Sequence, residues 1–232
     1  MRKIELLVPA SSLEVLKIAV IFGADAVYIG GEAFGLRAKA KNFSHEDMKE
    51  GIAFAHEHGV KVYVTVNILA HNYDLPGVRE YLTELKELKP DALIIADPGI
   101  YMYAKEICPE IERHISTQAN NTNYETYRFW YNLGAKRVVT ARELSLAEIK
   151  EIREHIPEDM EMKHSSMVLC AFLIPEDVCS VIIWQDVMPT REPVPIPAAG
   201  NILLLRRNVR ENICRYLKMK EEPISLIPRI SA

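Results

Sequence analysis

The stretch IELLVPASSLEVLKIAVIFGADAVYIGG, Ile4 to Gly31, holds one complete strand–helix–strand unit. Two short apolar runs, Ile4 to Ala10 and Ala26 to Gly31, flank a segment in which Leu13, Leu16, Ile18, Val20 and Ile21 recur at helical spacing. Gly23 stops that helix, because glycine supplies the left-handed turn that closes a helix and feeds the next strand.

The same punctuation returns further along. FGADAVYIGG (22–31), HGVKVYVTVN (58–67) and LGAKRVVTAR (133–142) each run from a helix end through glycine into a strand. Further strands are read at Val62 to Asn67, Ala92 to Asp97, His114 to Gln118 and Arg137 to Arg142. Six apolar runs alternating with six helical patterns describe an α/β chain with a parallel sheet. The repeated unit favours an incomplete TIM-like (β/α) barrel of about six βα units over a doubly wound sheet.

Regularity ends near Met162. Nine of the 10 glycines precede it and only Gly200 follows, whereas seven of the 13 prolines lie beyond it. Strand and helix periodicities fade together, which a second domain would not do. The expected organisation is a partial barrel over 1–161 and a non-native, poorly ordered tail over 162–232.

Composition narrows the function classes. The chain has 232 residues, 49% of them hydrophobic and 26% charged, with a net charge of −4. That balance advertises no nucleic-acid or anionic-membrane surface. Cys108, Cys170, Cys179 and Cys214 follow no CxxC spacing, and neither a signal peptide nor an 18-residue apolar run occurs. A cytoplasmic protein without a membrane partner is expected.

Polar residues gather where parallel α/β folds place their chemistry, at the carboxyl ends of strands. Glu32 and Arg37 follow the second strand, Asn67 ends the third, Asp97 the fourth, Gln118 and Asn120 the fifth, and Arg142 and Glu143 the sixth. Together they suggest a pocket for a small polar or anionic ligand. Other uses stand beside that reading: Asp97 before Pro98 and Gly99 suits a turn, and Arg142 and Glu143 suit pairing with neighbours or capping at Ser145.

The loop GGEAFGLRAKAKNF (30–43) ends in Arg37, Lys39 and Lys41, as a cover over an anion or as a solvated basic loop. His45, His56, His58 and His71 form no metal constellation, so no metal ligand is named. His71 lies within reach of the rim after Asn67, with a structural role as the alternative. Cys108, before Pro109 at a helix end, reads as a buried thiol. No Ser/His/Asp or Cys/His arrangement and no HExxH is legible, so no catalytic residue is assigned.

Over residues 1–161 the chain resembles the collagenase-like peptidases, the unclassified peptidase family U32. The resemblance is carried by ELLVPASSLEVLKIAVIFGADAVYIGGEAFGLRA, VKVYVTVNI, ALIIADPG and HISTQANNTNYETYRFWYNLGAKRVVTARELSLAEI. It implies a TIM-like fold and the label of protease or hydrolase. It also implies kinship with iron–sulfur proteins that support oxygen-independent hydroxylation of tRNA, rRNA or ubiquinone precursors. A [4Fe-4S] cluster is thereby expected in the intact family member, with tRNA or a homologous subunit as partner.

The family continues with a phenylalanine-x-histidine-glycine run and several cysteines, whereas this chain reads MEMKHSSMVLCAFLIPEDVCSVIIWQDVMPTREP from Met160. Joining the third base of each codon to the first two of the next restores the family pattern. Met162 into Lys163 must give glutamate, Met167 into Val168 glycine, and Trp184 into Gln185 and Met188 into Pro189 alanine. Permitted choices decode 162–179 as EAFIHGALCISYSGRC and the end, from Glu211, as EYMPV, one open position and EDERGTYIFNSKDLC.

A one-base deletion at about codon 162 is therefore expected. The signature thiols would be encoded across the 170/171, 177/178, 193/194 and 197/198 boundaries, so no cofactor is expected in this chain. It is expected to be inactive, with an open strand edge after the sixth unit. Three readings differ in class: a family enzyme silenced by the frame change, a remnant that only binds a ligand or partner, and a protease, for which no residue speaks.

Overall fold

The computed structural model describes residues 5–35, 43–165 and 182–185, all within the compact unit Met1–Pro189. Strand and helix alternate as β1 (Leu6–Pro9), α1 (Leu13–Ile21), β2 (Ala26–Gly30), α2 (His45–Glu57), β3 (Lys61–Val66) and α3 (Leu75–Leu88). Then come β4 (Ala92–Ile95), α4 (Pro98–Ile107), β5 (Glu112–Ile115), α5 (Tyr124–Leu133), β6 (Arg137–Val139) and α6 (Leu146–His155). Six βα units are thus present, as the repeat predicts.

Two strands lie beyond them. β7 (Glu161–Ser165) pairs parallel to β6, placing Arg137 opposite Glu161 and Val139 opposite Lys163. A short β8 (Ile182–Gln185) runs antiparallel to both β7 and β1, so the eight strands close into a barrel. The open edge expected after the sixth unit is therefore covered in the described structure. Closure removes the unpaired N–H and C=O groups that an edge exposes.

Alternation along each strand sorts side chains into two layers. Val8, Val27, Val62, Val64, Leu93, Ile95, Ile115 and Val138 belong to the larger cluster, packed beneath the helices. Leu7, Ala26, Tyr63, Ala92 and Val139, with Tyr28 and Ile94 against them, form a separate cluster inside the barrel. Burial on both faces is why the strands read as near-continuous apolar runs.

Five of the six helices, all but α3, start on side-chain caps at the carboxyl ends of the strands. Ser12 accepts from Val15 N–H, Ser44 from Asp47 N–H and Asn123 from Thr126 N–H at the starts of α1, α2 and α5. Asp97 caps α4, and Ser145 with Glu148 forms a reciprocal capping box on α6. Gly23, Gly59 and Gly134, the three punctuating glycines, all take positive φ (89°, 69° and 96°), the conformation that the sequence pattern requires.

Candidate functional site

Seven of the eight rim residues lie at one end of the barrel, where β2 to β6 run out; Arg37 is outside the described residues, as are Lys39 and Lys41. Glu32 is exposed in the turn after β2, and Asn67 is half-buried directly after β3. Arg142 and Glu143 are exposed after β6, and neither caps α6, since Ser145 and Glu148 do so between themselves.

Asp97 has a structural task. Its Oδ1 accepts from Gly99 N–H at 2.7 Å and Ile100 N–H at 3.0 Å, holding the first turn of α4. Of its two readings, the turn is the one observed.

The fifth strand is shorter than its sequence suggests. It ends at Ile115, and Thr117–Ala119 form a 3-10 turn carrying Gln118, with Asn120 in the left-handed region at φ 49°. Hydroxyls redirect the backbone here: Ser116 Oγ accepts from Gln118 N–H at 3.3 Å, and Thr117 Oγ1 donates to Thr140 O at 3.1 Å. The second bond ties this loop to the end of β6. Gln118 and Asn120 are consequently presented to solvent on a braced turn.

Behind that turn, Asn121 is buried and its Oδ1 accepts from Trp130 Nε1 at 2.9 Å. Its Nδ2 and the Tyr127 hydroxyl are buried with no hydrogen-bond partner among the described residues.

The β2 loop is wedged into the same face by Phe34. Its φ is 59°, unusual for a bulky residue, and its ring packs 5.7 Å from that of Tyr81. Gly77 makes room, since a Cβ there would stand 2.9 Å from Phe34 Cζ. In the next loop, the exposed His71 stacks on Tyr73, so His71 is a surface residue and not a core one.

At the opposite end, a second polar cluster fills the barrel, and sequence reading missed it. Buried Arg137 donates to Glu5 at 3.3 Å, to the Tyr63 hydroxyl at 3.2 Å, and to Glu161. Tyr63 in turn donates to Glu5 Oε2 at 2.9 Å, and buried Lys163 donates to Glu5 Oε1. Arg137 and Lys163 also stand 5.5 and 5.1 Å from the Tyr63 ring centre.

Electrostatics follow from this packing. Burial alone would raise the Glu5 carboxyl, but Arg137 and Lys163 hold it below the usual carboxylate range. Burial, reinforced by Arg137, pushes the Lys163 ammonium down to about 8. Burial drives His114 down to about 4, so at pH 7 a neutral imidazole meets the Glu112 carboxylate at 3.2 Å. The only clue in sequence was charge at inward strand positions, Arg137 and His114 above all.

The floor's charges answer one another, and Gln118, Asn120, Arg142 and Glu143 face outward at the rim. The arrangement suits binding at the rim and stability at the floor. Cys108 sits at the end of α4, donates to Ala104 O at 3.3 Å and is pushed up to about 11 by burial. It is a core thiol, and no group of three or more His, Cys, Asp or Glu suited to a metal occurs among the described residues. No helix among them is long and apolar enough to cross a membrane.

Known proteins share this barrel. Residues 11–171 match the model of peptidase family U32. The tRNA hydroxylation protein P1 of Bacillus subtilis (strain 168) is 46% identical over 160 residues, covering 69% of this chain and 38% of that protein. The 23S rRNA 5-hydroxycytidine C2501 synthase of Escherichia coli (strain K12) is 40% identical over 152 residues, 66% of this chain and 23% of that protein.

The chain therefore spans well under half the length of these relatives. The solved structure of the U32 peptidase Mk0906 superimposes with a TM-score of 0.58 at 18% identity, covering 71% of this chain and 69% of that one. That likeness concerns the fold, and the family rests on the sequence match. By that match, the chain belongs to peptidase family U32.

Proposed function

We propose that this chain is the substrate-positioning barrel of an RNA-base hydroxylation protein, separated from its cofactor region by a one-base change of frame near codon 162. One observation carries the reading: a braced polar rim lies on the face where such barrels bind substrate, in a chain whose relatives are named for tRNA hydroxylation and rRNA hydroxycytidine synthesis. Asn67, Gln118, Asn120 and Arg142 would contact the RNA, with Glu32 and Glu143 around them; Arg37, outside the described residues, is proposed as a further contact. Asp97 contributes by fixing the start of α4.

The family's iron–sulfur cluster does not fit the described residues, whose one thiol, Cys108, is committed to the core. No step is assigned to it in this chain. In the restored frame four thiols reappear beyond codon 162, and these would hold a [4Fe-4S] cluster to supply the redox chemistry. The chain as translated binds without reacting, in the cytoplasm, and its partner is RNA or a homologous subunit.

Sequencing the DNA across codon 162 tests the frame, and an uninterrupted gene encoding this tail would end the proposal. Protein from the restored frame, purified without oxygen, should be brown with iron and sulfide, whereas the 232-residue chain should be colourless. A colourless restored protein that cleaves peptides would favour the protease label instead. Closure of the barrel by β8 supports the binding part of the proposed reading, a folded remnant that retains ligand or partner binding.

A further inference from the structure

The loop joining β3 to α3 carries a ring pair that neither the floor nor the polar rim uses. His71 and Tyr73 stack with centroids 5.3 Å apart and planes 5° from parallel. Tyr73 is 79% exposed, and Leu69, four residues before it, is 65% exposed. The turn beneath the rings is closed from both sides. His71 N–H donates to Asp74 Oδ2 at 2.8 Å, and Asp74 N–H donates to His71 O at 2.9 Å.

A parallel ring pair held on a closed turn has already lost the freedom that a binding site must otherwise remove. It stands after the carboxyl end of β3, a few residues past Asn67, on the face that carries the amides of the rim.

We infer that the His71–Tyr73 pair is a stacking platform for an unpaired nucleobase, which extends the stack by one ring. The inference rests on the RNA reading above and adds the place where a base is met. Aromatic faces hold any base, because every base has a π-face; each stacked base is worth roughly five- to 150-fold in affinity. A net charge of −4 favours this mode over one led by phosphates.

Anisotropy titration of the 232-residue chain with a fluorescein-labelled single-stranded uridine decamer tests the platform. Tyr73→Ala should weaken binding about tenfold, and Tyr73→Phe should retain it, because the ring and not the hydroxyl does the stacking. Tyr73→Trp should bind at least as tightly, with its indole emission quenched by the decamer. An abasic decamer of equal charge should bind the parent chain as weakly as the uridine decamer binds Tyr73→Ala.

Unchanged affinity in Tyr73→Ala, or equal affinity for the abasic strand, would overturn the platform and leave the RNA reading standing. Failure of the parent chain to bind either strand would overturn both. Circular dichroism of each variant confirms that the exposed turn, and not the barrel, was altered.

Discussion

At the amino-terminal end of the barrel, polar side chains from β3, β6 and β7 and from Glu5 before β1 meet one another. At the carboxyl-terminal end, polar side chains either brace backbone, as Ser116 and Asp97 do in their own turns and Thr117 does across to β6, or face solvent, as Gln118, Asn120 and Arg142 do. Both ends hold a carboxylate and an arginine. What separates them is partnering: a buried charge answered by another fixes the barrel, whereas an exposed group remains available to a ligand.

Removing a cation from the floor should give the largest effect. Arg137→Met leaves Glu5, Glu161 and the Tyr63 hydroxyl short of their shared partner, and should cost about 3–5 kcal/mol in urea unfolding. A loss under about 1 kcal/mol would mean that the floor is wetter than its burial implies.

Acid should act on the same end. The folded His114 titrates near 4 and its ordinary value is 6.5, so the unfolded chain binds the extra proton between those values. Stability from this group is complete above pH 6.5 and falls as pH drops towards 4, by about 3 kcal/mol in all. His114→Gln should flatten that part of a stability–pH curve, leaving the carboxylate-driven loss below it.

Changes at the rim should be smaller and should divide by role. Asp97→Ala removes the cap of α4 and should cost about 1 kcal/mol. Arg142→Ala should change stability by less than about 0.5 kcal/mol while weakening retention of the uridine decamer. Equal stability losses at both positions would erase the distinction drawn between a structural and a binding residue.

Six strands are legible in the sequence because parallel strands buried on both sides leave apolar runs, and because Gly23, Gly59 and Gly134 mark three helix-to-strand turns. The fifth strand is misjudged at its end, since Ser116 and Thr117 look strand-like until their hydroxyls capture nearby backbone groups. β7 is hidden for another reason: in EMKHS (161–165), Glu161 and Lys163 face inward to a charged floor, so the alternation carries no apolar signal.

The floor itself escapes notice because Glu5 and Lys163 are 158 residues apart and meet only once the barrel closes. Rim positions are easier, since they follow strand ends. Their roles are less so: Asp97 and Arg142 occupy equivalent places, and only hydrogen bonding separates the cap from the exposed cation.

The helix starts carry one more consequence. Each helix begins at the rim, where its unpaired N–H groups amount to roughly half a positive charge. Yet each start has its own acid: Glu14 on α1, Glu46 and Asp47 on α2, Asp74 before α3, Asp97 before α4, Glu125 on α5 and Glu148 on α6. The macrodipoles are thus neutralised in place, and a phosphate arriving at the rim gains little from them. Contact with nucleic acid on this face should therefore depend on rings and amides, and should persist at salt concentrations that dissolve phosphate-led complexes.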